Sequence, residues 1–119
     1  MTKIKKVNSI QQDLYHNDNY VGFIGLVDKG KYLSLEYQID EKYRGKGIMR
    51  KQLPLFLKKY KAVDQLIMAT VEDNIEFAIA SKSLLLNNGF VFIKKLPTKT
   101  NGTASLYSNR NFLTFNKKQ

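Results

Sequence analysis

A chain of 119 residues with 43% hydrophobic and 12% aromatic residues suits one compact domain that buries roughly two-thirds of its unfolded surface, and it is neither disordered nor fibrous. It has no cysteine and a single histidine, His16, which excludes disulfides, thiolate nucleophiles and thiolate metal sites; carboxylates, hydroxyls, amides and the backbone are left to carry any chemistry. A net charge of +10 favours a phosphorylated ligand or a polyanionic partner such as nucleic acid, although lysines scattered in short groups equally describe a solvated surface, and with no apolar run near the ~18 residues of a membrane span and no signal-peptide core in MTKIKKVNSI the expectation is a soluble, cytoplasmic, single-domain protein without membrane contact.

In chain order, Lys3 to Ile10 is a weak edge-strand candidate, and Tyr20 to Val27 (YVGFIGLV) is a strand by its β-branched and aromatic content. The HNDN stretch between them, with His16, reads as an exposed polar loop. Asp28 to Lys31 is a turn, and Tyr32 to Asp40 (YLSLEYQID) is a second strand with Leu33, Leu35, Tyr37 and Ile39 on one face, so the two form an antiparallel hairpin. From Gly47 the apolar period changes to that of a helix, with Met49, Leu53, Phe56, Leu57 and Tyr60 on one side and Pro54 inside, where a bend is expected. Ala62-Val63-Asp64 leads to a buried strand over Gln65 to Val71. A helix over Asn74 to Asn88 follows, capped by Asp73 or Asn74, with Glu76 in its first turn and Gly89 as its left-handed stop. Strands at Phe90 to Leu96 and Thr103 to Asn109 flank a turn at Pro97 to Gly102. The order β-β-α-β-α-β-β predicts an α/β (α+β) fold: a mixed, mostly antiparallel twisted sheet with one central parallel pair and helices packed on it.

One segment carries chemistry. Arg44-Gly45-Lys46-Gly47-Ile48 lies between a strand and a helix, where unpaired amides and the positive end of the helix dipole point at one place. Two glycines let a pyrophosphate approach the backbone, and Arg44 and Lys46 add charge. The nucleotide P-loop spacing and the third glycine of the dinucleotide fingerprint are both absent. By itself the segment reads as an anion site or as an ordinary glycine-rich turn with solvated basic residues.

The string YQIDEKYRGKGIMRKQL, then a short strand, an Asn-started helix and an Asn88-Gly89-Phe90 ending, resembles the GNAT superfamily of N-acetyltransferases, especially its ribosomal-protein acetyltransferase-like members, over roughly Tyr20 to Lys95. The resemblance implies acetyl-CoA as co-substrate, with its pyrophosphate at Arg44, Gly45, Lys46, Gly47, Ile48 and Met49. Met49 stands where the family keeps a small residue. It also implies that backbone groups of Tyr37, Gln38 and Ile39 bond the pantetheine arm. In the second helix the family's pantetheine-contacting Asn falls on Ala78, the next Ser on Ser81 and the general-acid Tyr on Leu85; Asn74, one turn earlier, or Ser81 is left for the cofactor-facing role.

For transfer to an amine, Glu36 is the one carboxylate in the interior of the strand, Asp40 standing at its end, and hence the candidate base, the other reading being an exposed structural role. Tyr37, Tyr107 and Ser108 are further candidate proton donors. No metal is implied, and no spacing joins His16 to a Ser and an Asp as a hydrolase triad. The expected reaction is direct attack of a primary amine of a protein, peptide or small molecule on the thioester. The alternatives are a catalytically degenerate acyl-CoA-binding module and a basic nucleic-acid or ribosome-associated protein. The short region before the first hairpin suggests an open acceptor groove or its completion by a second subunit in a homodimer.

Overall fold

The computed structural model describes residues 8–60 and 65–110, and the chain divides between Gln65 and Leu66 into two compact units. The Lys3–Ile10 candidate lies outside the described residues except for its last three positions, and Ala62-Val63-Asp64 lies wholly outside them.

The first unit holds β1 (Ile10–His16), β2 (Asn19–Asp28), β3 (Leu33–Ile39), a single 3-10 turn (Glu41–Tyr43) and helix α1 (Ile48–Lys59). The strand β1 is a correction: the sequence before Tyr20 supplies a third antiparallel strand, and His16 is its last residue, paired with Asn19. The hairpin closes on Asn17 and Asp18, whose φ values of 51° and 68° are those of a two-residue turn matched to strand twist. A bulge at Leu14/Tyr15 puts the extra residue, Val21, in β2, where it is fully buried. Between β2 and β3, Asp28 accepts from the Gly30 amide at 2.8 Å, and the Lys29 amide donates to Tyr32 at 2.9 Å.

Alternation along β3 buries Leu33, Leu35 and Ile39 and exposes Glu36 and Gln38. Helical spacing buries Leu53 and Phe56 of α1, each such side chain contributing roughly 1.5–3 kcal/mol. Gly22 of β2 lies opposite Ile39, and a Cβ there would overlap the Gln38 carbonyl oxygen. The helix α1 runs through Pro54 as one element.

The second unit holds β4 (Ile67–Glu72), helix α2 (Ala78–Asn87), β5 (Val91–Pro97) and β6 (Thr103–Ser108). Strand β6 pairs antiparallel with both β4 and β5, with Ile67, Ala69, Val71, Leu85, Phe90, Ala104 and Tyr107 buried. The start of α2 is a second correction. Residues 74–77 form a turn, Phe77 is the N-cap, and neither Asp73 nor Asn74 caps the helix.

Asp73 is held elsewhere. Its carboxylate accepts from Lys82 Nζ at 2.6 Å, Lys95 Nζ at 3.0 Å, Thr103 Oγ1 at 2.6 Å and Ser105 Oγ at 2.7 Å. Four donors from α2, β5 and β6 satisfy a carboxylate better than one helix amide does. At its other end α2 stops as expected, with Gly89 at φ 86° and the amides of Phe90 and Gly89 donating to Leu85 and Leu86. Those two bonds form a Schellman motif, whose hydrophobic contact falls on Leu85 and Phe90.

Within the first unit the strands follow the order β1-β2-β3, and within the second β4-β6-β5. The β1–β2, β2–β3, β4–β6 and β5–β6 pairs are antiparallel.

Candidate anion-binding site

The segment from β3 to α1 is built as a rigid turn. The Tyr43 amide donates to Asp40 at 2.9 Å and the Arg44 amide to Glu41 at 3.1 Å, closing the 3-10 turn. Gly45 and Gly47 then take φ values of 80° and 77°, a left-handed backbone that any side chain would strain. Around both, the space within 4 Å of a built Cβ is open. Their glycine character therefore serves the backbone shape and leaves the space above it clear.

Gly47 is also the N-cap of α1, with no side-chain cap bond and no acid in the first turn. The amides of Ile48, Met49 and Arg50 thus meet no capping side chain. The first helical turn instead carries Arg50 and Lys51, which the positive dipole end disfavours unless an anion is present. With Gly45, Lys46 and Gly47 these two line an open depression of about 380 Å³. Lys46, Arg50 and Lys51 have no hydrogen-bond or ion-pair partner among the described residues. Backbone donors, clear space and unpaired cations together fit a pyrophosphate. Arg50 and Lys51 were not among the residues singled out in the sequence; their signal was two basic residues in a helical first turn without an acid.

Strand β3 contributes a second feature. The Asp40 amide donates to the Val21 carbonyl at 2.8 Å, which sets the ladder phase: backbone groups of Glu36, Gln38 and Asp40 point at β2, and those of Leu35, Tyr37 and Ile39 point away from it. Gln38 therefore differs from the sequence expectation. Its backbone is committed to β2, and its exposed side chain lies on the same face as Glu36. The backbone groups of Tyr37 and Ile39 point away from β2, and the Ile39 carbonyl accepts from Arg44 Nε at 2.9 Å. Glu36 is exposed, 3.5 Å from the Ser34 hydroxyl, which donates to it.

The remaining candidates belong to other elements. Asn74 and Ser81 belong to the second unit, where the exposed Asn74 sets its amide nitrogen 3.2 Å from the place of a Cβ on Gly102 and the Ser81 amide donates to Phe77. Leu85 is fully buried, Tyr107 is 4% exposed and Ser108 fully buried, with the Ser108 hydroxyl accepting from the Arg110 amide at 3.1 Å. His16 is half-buried, its ring 6.0 Å from that of Tyr43, in a strand instead of the loop expected for it. Among the described residues no helix is long and apolar enough to cross a membrane.

No protein-family model matches the sequence, and no curated protein matches it. Solved structures do match in three dimensions. An acetyltransferase from Salmonella typhimurium that modifies the N-terminal serine of 50S ribosomal subunit protein L7/L12 has a TM-score of 0.67 at 14% identity, over 85% of this chain and 63% of its own. The ribosomal-protein-S18-alanine N-acetyltransferase of Escherichia coli gives 0.63 at 17%, over 87% and 70%. An aminoglycoside 6′-N-acetyltransferase complexed with coenzyme A gives 0.64 at 15%, over 85% and 72%. The chain spans less than two-thirds of the length of the Salmonella protein. With the strand order and the glycine turn already described, these likenesses establish that the chain has the fold of the GNAT N-acetyltransferases.

Proposed function

We propose that this chain is an acetyl-CoA-dependent N-acetyltransferase whose turn at Arg44, Gly45, Lys46, Gly47, Ile48 and Met49 holds the cofactor's pyrophosphate. The observation that carries the reading is the uncapped start of α1 behind two left-handed glycines, beside Lys46, Arg50 and Lys51, which have no hydrogen-bond or ion-pair partner among the described residues. When bound, acetyl-CoA supplies a thioester open to attack by an amine. The amides of Ile48, Met49 and Arg50 and the charges of Lys46, Arg50 and Lys51 bind the phosphates. Orientation of the pantetheine arm is assigned to backbone groups of Tyr37 and Ile39, with Asn74 or Ser81 as a further cofactor-facing candidate. Glu36, exposed on β3, takes the proton of the incoming amine directly or through a water. The acceptor is a primary amine of a protein, peptide or small molecule, and a second copy of the chain completing the acceptor groove is the corresponding proposal for assembly.

Thermal unfolding with and without acetyl-CoA tests the reading, since ligand at 100 times its Kd adds about 2.7 kcal/mol to stability. A clear rise in melting temperature is expected, and Gly47→Glu should abolish it while the protein without ligand still folds. No shift at millimolar ligand overturns the proposal. A second reading, binding of acyl-CoA without transfer, is favoured by Leu85: the position the family gives to a general-acid tyrosine is occupied by a fully buried leucine tied into the end of α2. Stabilisation by acetyl-CoA with no acetylation of any amine would select that reading.

A further inference from the structure

The side chain of Arg44 folds back across the 3-10 turn, and its Nε donates to the carbonyl of Ile39 at 2.9 Å in a partly buried bond. That carbonyl is the last of β3 and, by the ladder phase, points away from β2. The five residues between strand and glycine turn are thus crossed by bonds from the Tyr43 amide to Asp40, from the Arg44 amide to Glu41, and from the Arg44 side chain to Ile39. The last of these ties the residue before the glycine turn to the strand end itself. It uses a donor that lysine lacks, because a lysine has a single terminal ammonium and no Nε–H near the start of a planar fork.

We infer that Arg44 is a positioning residue that sets the distance between the two halves of one ligand site, and not chiefly a phosphate-binding charge. The inference rests on the coenzyme A reading above. The Ile39 amide at the end of β3 and the amides of Ile48 to Arg50 would grip opposite parts of the same molecule, so a fixed spacing between them lowers the ordering cost of binding both at once. A ligand that touches only one half gains nothing from that spacing. The glycines make the device necessary: Gly45 and Gly47 have no side chains to hold the turn, and nothing lies within 4 Å of where those would begin.

The test compares Arg44→Lys and Arg44→Gln with the unaltered chain, by calorimetric titration of three probes: coenzyme A, ADP as the pyrophosphate half, and pantetheine as the other. If Arg44 positions the turn, both variants lose coenzyme A affinity by a similar factor, on the order of tenfold, while ADP affinity stays within about twofold. Amide hydrogen exchange without ligand should quicken at Gly45 to Ile48 in both variants and remain unchanged in β1, β2 and α2. If Arg44 is instead a phosphate-binding charge, Arg44→Lys keeps most of the affinity, Arg44→Gln weakens ADP and coenzyme A alike, and exchange in the turn does not change; that pattern overturns the inference. Failure of the unaltered chain to bind coenzyme A or ADP overturns the coenzyme A reading itself. The exchange measurement needs no ligand and judges the clasp separately.

Discussion

At the residue scale, two side-chain facts set what the chain tolerates. Gly22 is required because its missing Cβ is where the Gln38 carbonyl sits. Gly22→Ala must push β2 from β3 or distort the ladder, and is expected to cost about 2 kcal/mol or more, read as a lower denaturant midpoint at unchanged slope. Asp73 is the other. The Lys82 hydrogen bond first, then Thr103, Ser105 and Lys95, hold its carboxyl well below the usual carboxylate range. A depressed folded value means that its contribution is complete above the unfolded pKa of about 3.9 and is lost as pH falls through and below it. Asp73→Asn should therefore be less stable than the unaltered chain at neutral pH, and the two melting temperatures should converge as pH drops from about 5 towards 2. Parallel curves across that range would remove Asp73 as the acid-sensitive hub. The sequence offered Asp73 as a helix cap, a local role; its actual partners lie as far as 32 positions away, beyond what local spacing reports.

At the element scale, strong periodicity was legible and weak boundaries were not. The β2–β3 hairpin, α1, β4, β5 and β6 appear where alternation, helical spacing and turn residues put them, within a few residues at the ends. The β1–β2 hairpin was missed because Asn17-Asp18 closes it without a glycine, and because IQQDLYH has few β-branched or apolar residues. It stands as a strand because β2 offers it a ladder. The early start expected for α2 fails for the reason seen at Asp73: the capping residue is drawn to tertiary partners, and the helix begins after Phe77. Pro54 lies in the interior of α1, where a proline removes one backbone bond and crowds the preceding turn at a cost near 3 kcal/mol in an ideal host. Since Pro54 is exposed, Pro54→Ala should stabilise the protein by about 1–3 kcal/mol, read as a raised denaturant midpoint. A loss of stability there would mean that α1 is shaped around the proline.

At the scale of the whole molecule, the net charge of +10 and the glycine turn make separable statements. Scattered lysines attract any polyanion through counterion release, with log affinity falling by about 0.9 per phosphate neutralised for each decade of salt. A phosphate held by fixed amides in a shaped turn is screened less. Stabilisation by saturating acetyl-CoA should therefore persist at 200 mM salt, while retention of duplex nucleic acid falls by tenfold or more between 50 and 200 mM. Equal collapse of both would assign ligand binding to general surface charge.

The sequence by itself determined the order of most elements, the left-handed glycine turn between β3 and α1 and the fold it belongs to, because each depends on near neighbours: glycines that permit left-handed backbone, a helix that begins without an acid, apolar residues at regular spacing. Tertiary structure alone decided which β3 backbone groups point at β2 and which point away, since the ladder phase depends on how Asp40 meets Val21 across the hairpin. It alone placed Leu85 in the core, gave Asp73 its four donors and brought the Arg44 guanidinium back to the end of β3. Those outcomes are contacts in space, and residue spacing along the chain carries no term for them.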